Sequence, residues 1–262
     1  MKRAVSVPNV GDPGELITLA LDVERAGWDG FFVWDHVQIY APAKFEVHDP
    51  WMVLAAAAHV TERVRLGAMV TPPSRRRPWQ LAKQIVTLDH ISAGRAVVGI
   101  GLGFPEEDEF GAFGEATAMR DRATRTDEAM EIIDRVMRGE PVEHSGAHFR
   151  MQAHLHPAAV QSPRPPIWAA ATPPYRRPLG RAARWDGVYV NVKLDDLMPL
   201  RPAELREYVG DFLTDPDLDV VTAPHPEHEP EEYEAVGVTW LVDGSWPGPD
   251  WLDQFRARIG LD

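Results

Sequence analysis

What most limits the folds open to this chain is a repeated alternation. Short β-rich runs, each followed by an amphipathic run, occupy nearly all of the 262 residues. Residues 4–7 read as the first strand, and Asp12, Pro13 and Glu15 then supply an N-cap, a first-turn proline and a capping-box carboxylate. Leu16, Leu19, Ala20 and Val23 follow at helical spacing, and Gly27 stops the helix. Strands are expected again at 30–34, 64–70 and 96–100, with helices opening at Pro50 and Pro78. The fourth of these strands is continuously apolar, as parallel strands covered on both faces are. A long helix is expected over 120–138, and residues 142–151 then break the rhythm as a hairpin around Ser145 and Gly146. Strands resume at 167–171, 187–190, 219–222 and 238–242, with helices at 176–184, 203–213, 229–235 and 251–259. Eight strand–helix units in about 250 residues predict an α/β fold, a (β/α)8 TIM barrel. It carries a small hairpin insertion before the fifth strand and forms one domain over 1–262. An open doubly wound sheet is the other arrangement such alternation permits, and the strand count favours the barrel.

Charge narrows the partners. There are 27 Lys and Arg against 40 Asp and Glu, a net charge of −13, and residues 195–262 carry 17 acidic and only 4 basic side chains. A nucleic-acid surface needs clustered Lys and Arg, so nucleic acid is not an expected partner. The absence of cysteine removes disulfides, thiolate metal sites and thiol nucleophiles together. The longest apolar run, 51–58, is too short to span a bilayer, and no apolar stretch of signal-peptide length follows the first residues. A cytoplasmic protein with no membrane contact is expected.

In a barrel, chemistry sits in the loops after the carboxyl ends of the strands. The second strand ends in Trp34-Asp35-His36, where a carboxylate beside an imidazole can serve proton transfer, or can simply cap a loop. The third ends in Met69-Val70-Thr71-Pro72-Pro73 before Arg75-Arg76-Arg77, a triplet read chiefly as a solvated helix entrance. The fourth runs into Gly99-Ile100-Gly101-Leu102-Gly103-Phe104, where alternating glycines let a flat ligand approach the backbone or make a tight turn. It is not a dinucleotide fingerprint, because Phe104 replaces the third glycine and an acidic run replaces the helix. The fifth ends in Ala169-Ala170-Ala171-Thr172 ahead of Arg176 and Arg177, the best place for a phosphate. The histidine pairs 144/148, 154/156 and 225/228 lack further ligands, so no metal is expected.

The ordered series GWDGFFVWDH (27–36), the segment 64–95, VVGIGLG (97–103), EFGAFGE (109–115), the helix and hairpin of 120–151, PRPPIWAAA (163–171) and RAARWDGVYV (181–190) resembles the bacterial luciferase-like monooxygenase family. The resemblance implies a barrel that binds FMN or the deazaflavin coenzyme F-420 in its mouth. Asp35-His36 looks like the signature of F-420 members. Met69-Val70 matches a non-prolyl cis peptide against the ring face. Asp35, Met69, Val70, Thr71, Gly101, Gly103, Ala170, Ala171 and Thr172 match cofactor-lining positions. Two departures are visible: alanines at 169–171 where many relatives have glycines, and Leu102 where some F-420 dehydrogenases have Glu.

The expected activity is that of an oxidoreductase or monooxygenase. It uses reduced F-420, or alternatively FMN, to deliver hydride to, or oxygenate, a small organic substrate. His36 is the expected catalytic residue, with Asp35 orienting it or touching the cofactor, and Trp34 and Phe104 shape the substrate pocket. Family habit leaves a homodimer open, and FMN chemistry would call for a separate flavin reductase. The rival readings are a lyase or isomerase acting on a phosphorylated metabolite, for which Lys193 is the one candidate, and a non-catalytic flavin-binding barrel.

Overall fold

A computed structural model describes residues 1–193 and 195–261, with all their side chains except those of 211 and 213; the last residue of the expected 1–262 domain lies outside it. The first half runs β1 (Lys2–Val7), α1 (Pro13–Arg25), β2 (Gly30–Val33), α2 (Pro50–Val60), β3 (Arg65–Ala68), α3 (Pro78–Ile91), β4 (Val98–Ile100), α4 (Glu106–Glu109) and α5 (Met119–Met137). The hairpin β5 (Val142–Ser145) and β6 (Arg150–Ala153) follows. The rest is β7 (Ile167–Ala171), α6 (Arg177–Ala182), β8 (Gly187–Val190), α7 (Pro202–Val209), β9 (Asp219–Thr222), α8 (Pro230–Ala235), β10 (Trp240–Gly244) and α9 (Trp251–Arg258).

Local chemistry sets the helix starts. The Asp12 carboxylate accepts the Gly14 and Glu15 amides, and Asp49 accepts those of Trp51 and Met52, each with proline in the first turn. The helices bury one stripe, as with Leu16, Leu19, Ala20 and Val23 of α1, against the outer faces of the strands.

The strands pair in the order β3-β2-β1-β10-β9-β8-β7-β4, every neighbouring pair parallel. The two ends of that series meet. Val97 N donates to Leu66 O at 2.9 Å, and Gly101 N donates to Thr71 O at 3.0 Å, bridging β4 back to β3. The sheet is therefore a closed barrel, and the doubly wound alternative is set aside. Two glycines make the closing seam: a Cβ on Gly67 would lie 2.0 Å from Val97 O, and one on Gly99 would lie 2.5 Å from Ala68 O. Between the bridges the Met69-Val70 peptide bond is cis.

Side chains fill the barrel. Ala4, Phe32, Met69, Val97, Trp168, Val221, Trp240 and Val242 form an interior cluster. The Trp168 ring lies 5.6 Å from Phe32 and 5.2 Å from Trp240, so the three aromatics plug the centre. Val70 and Tyr189 pack on this cluster from the carboxyl-end side, where they are half-buried and form the floor of the mouth.

The expected hairpin is present, and Glu128 of α5 holds it by accepting from His144 Nε2, His148 N and Phe149 N at 2.7–2.9 Å. Several expectations shift. The third strand ends at Ala68, just before the cis bond, and the eighth lies at 240–244. The helix expected to 213 stops at Val209, because Gly210 takes a φ of +51°, and a 3-10 turn follows it. The acidic run after Phe104, read as non-helical, forms the short helix α4. Among the described residues no helix is long and apolar enough to cross a membrane.

Candidate active site at the carboxyl ends of the strands

β2 delivers Asp35 and His36 into the barrel mouth, but their partners differ from those expected. Asp35 is 4% exposed. Its Oδ2 accepts from Thr71 Oγ1 at 2.5 Å and Arg76 Nε at 3.2 Å, and its Oδ1 accepts from Arg75 Nη2 and Arg76 Nη2 at 2.7 Å each. Burial favours the protonated acid, but the Arg76 and Arg75 guanidiniums outweigh it and hold the carboxyl below its ordinary value. Asp35 is thus a buried carboxylate clamped by two arginines. The arginine triplet is not a solvated entrance at its first two members: the Arg75 side chain is only 7% exposed, and Arg77 alone is open to solvent.

Glu109 orients His36. The carboxylate of this residue, at the end of α4, accepts from the Val37 and Gln38 amides at 3.1 and 3.2 Å and pairs with Arg75. His36 Nδ1 lies 3.0 Å from Glu109 Oε1. Burial and the Arg75 charge lower the imidazole pKa to about 4, against the pull of Asp35. Glu109 is itself paired with Arg75, so its pull on the imidazole is largely neutralised. A neutral imidazole facing a carboxylate carries its proton on Nδ1. Nε2 is then a lone-pair acceptor with no partner among the described residues. Asp35, Thr71, Arg75, Glu109 and His36 form one continuous network across three loops.

This lowered pKa has a consequence for stability. The unfolded chain takes up a proton near the ordinary histidine value of 6.5, whereas the folded protein resists it down to about 4. Stability is therefore expected to fall as pH drops through that window, by up to about 3 kcal/mol from this one group. Urea midpoints of the wild type and His36→Gln between pH 4 and 7 measure it. Parallel pH profiles for the two proteins would remove His36 as the cause.

The remaining expected residues divide between the mouth and the packing. Met69 lies in the interior cluster, and Thr71 is fully buried with its hydroxyl spent on Asp35. Val70 stands at the floor because Gly101 has no side chain: a Cβ there would lie 2.4 Å from Val70 Cγ2. Gly103, at a φ of +82°, packs against the Phe110 ring, so it serves the turn. Ala170 is a half-buried interior residue in register with Tyr189, whereas Ala171 is buried in the outer core against the helices. Thr172 is half-buried, and its carbonyl accepts the Tyr175 amide. Arg176 donates to the Tyr208 and Glu207 carbonyls near the end of α7, which leaves Arg177 as the open cation of the expected phosphate position.

Trp34 lies edge-on to His36 at 5.8 Å and to Trp246 at 5.3 Å, making an aromatic wall beside the imidazole. Phe104, 56% exposed, sits on the open rim. Lys193 pairs with Asp196 at 2.9 Å, a contact that raises its pKa and keeps it a solvated ammonium rather than a base. No group of three or more His, Asp or Glu able to hold a metal occurs among the described residues. An open groove of about 520 Å³ is lined by Arg77, Trp79, Gln80, Lys83, Leu155 and His156, none of them a member of the Asp35–His36–Glu109 network.

A half-buried valine floor, a small residue at Ala170 and the orphaned, buried hydroxyl of Ser6 suit a flat heteroaromatic ring with polar edges. Comparison with known proteins points the same way. Residues 2–196 match the luciferase-like monooxygenase family. The chain is 30% identical over 246 residues to an F-420-dependent glucose-6-phosphate dehydrogenase of Beutenbergia cavernae, covering 87% of this chain and 68% of that protein. It spans about half the length of several other relatives. Its fold is shared, with a TM-score of 0.79, 16% identity and 99% and 98% of the two chains covered, by an F-420-dependent secondary alcohol dehydrogenase solved with an F-420–acetone adduct. It is also shared by the FMN-bound oxygenating component of the 3,6-diketocamphane monooxygenase of Pseudomonas putida, with a TM-score of 0.66, 18% identity and 85% and 66% coverage.

Proposed function

The chain belongs to the luciferase-like monooxygenase family, and on that premise we propose that it is an oxidoreductase acting with coenzyme F-420 on a small organic substrate. The observation that carries this reading is the neutral His36 imidazole, fixed through Nδ1 by Glu109, with Nε2 unpartnered beside the mouth. When bound, oxidised F-420 would supply the acceptor for the hydride leaving an alcohol carbon, and its reduced form the hydride donor for the reverse reaction. The protein's own residues do the rest. Val70, Gly101 and Ala170 offer the face on which a ring can lie, and Trp34 with Trp246 walls the space beside His36. His36 Nε2 accepts the hydroxyl hydrogen of an alcohol substrate, which places the reacting carbon and takes the proton as the carbonyl forms. Glu109 and Arg75 keep the ring from turning. Asp35 acts through Arg75 rather than at the reacting atoms.

FMN is the alternative cofactor, and it would direct the same mouth toward oxygen chemistry and require a separate flavin reductase. The proposal places the protein in the cytoplasm, as one barrel domain over 1–262 that can pair as a homodimer. Equilibrium binding of purified protein to F-420 and to FMN, followed by cofactor fluorescence, tests it. F-420 is expected to bind at least about tenfold more tightly, a difference of about 1.4 kcal/mol. Preference for FMN would move the reading to oxygenation, and binding of neither would overturn it.

A further inference from the structure

The floor of the mouth carries a polar atom that the protein leaves unsatisfied. Tyr189 lies on the interior face of β8, in register with Ala170 of β7 and Val221 of β9, and packs with Val70 on the aromatic plug. Its hydroxyl makes no hydrogen bond among the described residues. A second such atom lies in the same barrel: Ser6 Oγ, buried on β1 where the strand alternation turns it inward, is also unpartnered. Buried polar groups are rarely left without a partner, so the Ser6 hydroxyl points to a ligand or an ordered water, and the Tyr189 hydroxyl, open to the mouth, lies where the same ligand can reach it. Phe32 fills the same interior cluster without an oxygen.

Position sharpens the assignment. In the closed strand order β8 stands four places from β2, on the opposite wall. A flat ring lying over Val70 therefore has His36 on one side and Tyr189 on the other. We propose that the Tyr189 hydroxyl donates a hydrogen bond to a carbonyl or ring-nitrogen acceptor on the inner edge of a bound flavin or deazaflavin ring. The proposal rests on the cofactor reading above and extends it to a residue on the far wall. Burial alone raises the phenol pKa to about 12, so the group remains a donor throughout the physiological range.

The test is Tyr189→Phe, which removes one oxygen and no intramolecular bond. The variant is expected to melt at or near the wild-type temperature, because a hydroxyl with no intramolecular partner contributes no bond to folding. Its affinity for F-420, read by fluorescence titration, is expected to fall roughly three- to tenfold, the effect of one hydrogen bond. F-420 affinity within twofold of the wild type would overturn the assignment while leaving the cofactor reading intact. A clear drop in melting temperature would overturn it too, by showing that the phenol holds the fold. Wild-type protein that binds neither F-420 nor FMN would end both readings at once.

Discussion

Replacing Asp35 by alanine is expected to lower the unfolding free energy by about 3–5 kcal/mol, the range for removing one member of a buried ion pair. Its carboxylate is the shared acceptor of Thr71, Arg75 and Arg76. Without it the two guanidiniums face each other across a buried site, with Glu109 the nearest remaining counter-charge for Arg75. The Arg75 side chain has little access to solvent with which to replace the lost bonds. Asp35→Asn keeps the shape and one acceptor, so its loss should be smaller. Urea denaturation of both variants measures the difference. A loss below about 1 kcal/mol for the alanine variant would mean that water replaces the carboxylate and that the cluster is not a closed one. Replacing Asp35 and Arg75 together by apolar residues should cost less than the sum of the single changes, because the bond between them is lost only once, while Arg76 and Glu109 each still lose a partner.

His36→Ala is expected to lower turnover by roughly 10²- to 10⁴-fold, the usual contribution of a positioned general base. Little else should change. Glu109 keeps Arg75 and the Val37 and Gln38 amides, so the network survives without the imidazole. Cofactor affinity is expected to stay within about threefold, because the reading gives His36 the substrate rather than the ring. Absorbance of F-420 during incubation with secondary alcohols, imines and activated alkenes supplies the rate. Equal turnover in both proteins would remove His36 from the chemistry. Loss of cofactor binding alongside turnover would reassign it to holding the ring.

The barrel was legible because the alternation of β-rich and amphipathic runs is a local signal, and the fifth, sixth and seventh strands fall at their expected bounds. Turn chemistry was legible for the same reason, as at Asp12-Pro13. The site was legible only in part. Asp35 and His36 could be singled out, but their partners depend on how distant loops fold. Glu109 lies 73 residues from His36 and hides in a run of four acidic residues. The available clue was that Glu109 opens the matching stretch EFGAFGE (109–115), whose next residue, Phe110, is buried in the structure. Arg75 looked like any solvated arginine until Asp35 and Glu109 closed around it. Tyr189 was masked by its strand: Gly-Val-Tyr-Val reads as apolar packing, and nothing local says that its hydroxyl lacks a partner. A hydroxyl facing the mouth without a protein partner is a property of the assembled barrel.

The aromatic plug of Phe32, Trp168 and Trp240 closes the barrel beneath the mouth, which leaves the chamber a single doorway. Two molecules that react there must use it in turn. If the ring lies on the floor as proposed, it would enter first and leave last, with the substrate beside His36 arriving second and departing ahead of it. Under the proposed reading, sequential kinetics with a compulsory order are the expected result, and product-inhibition patterns check it.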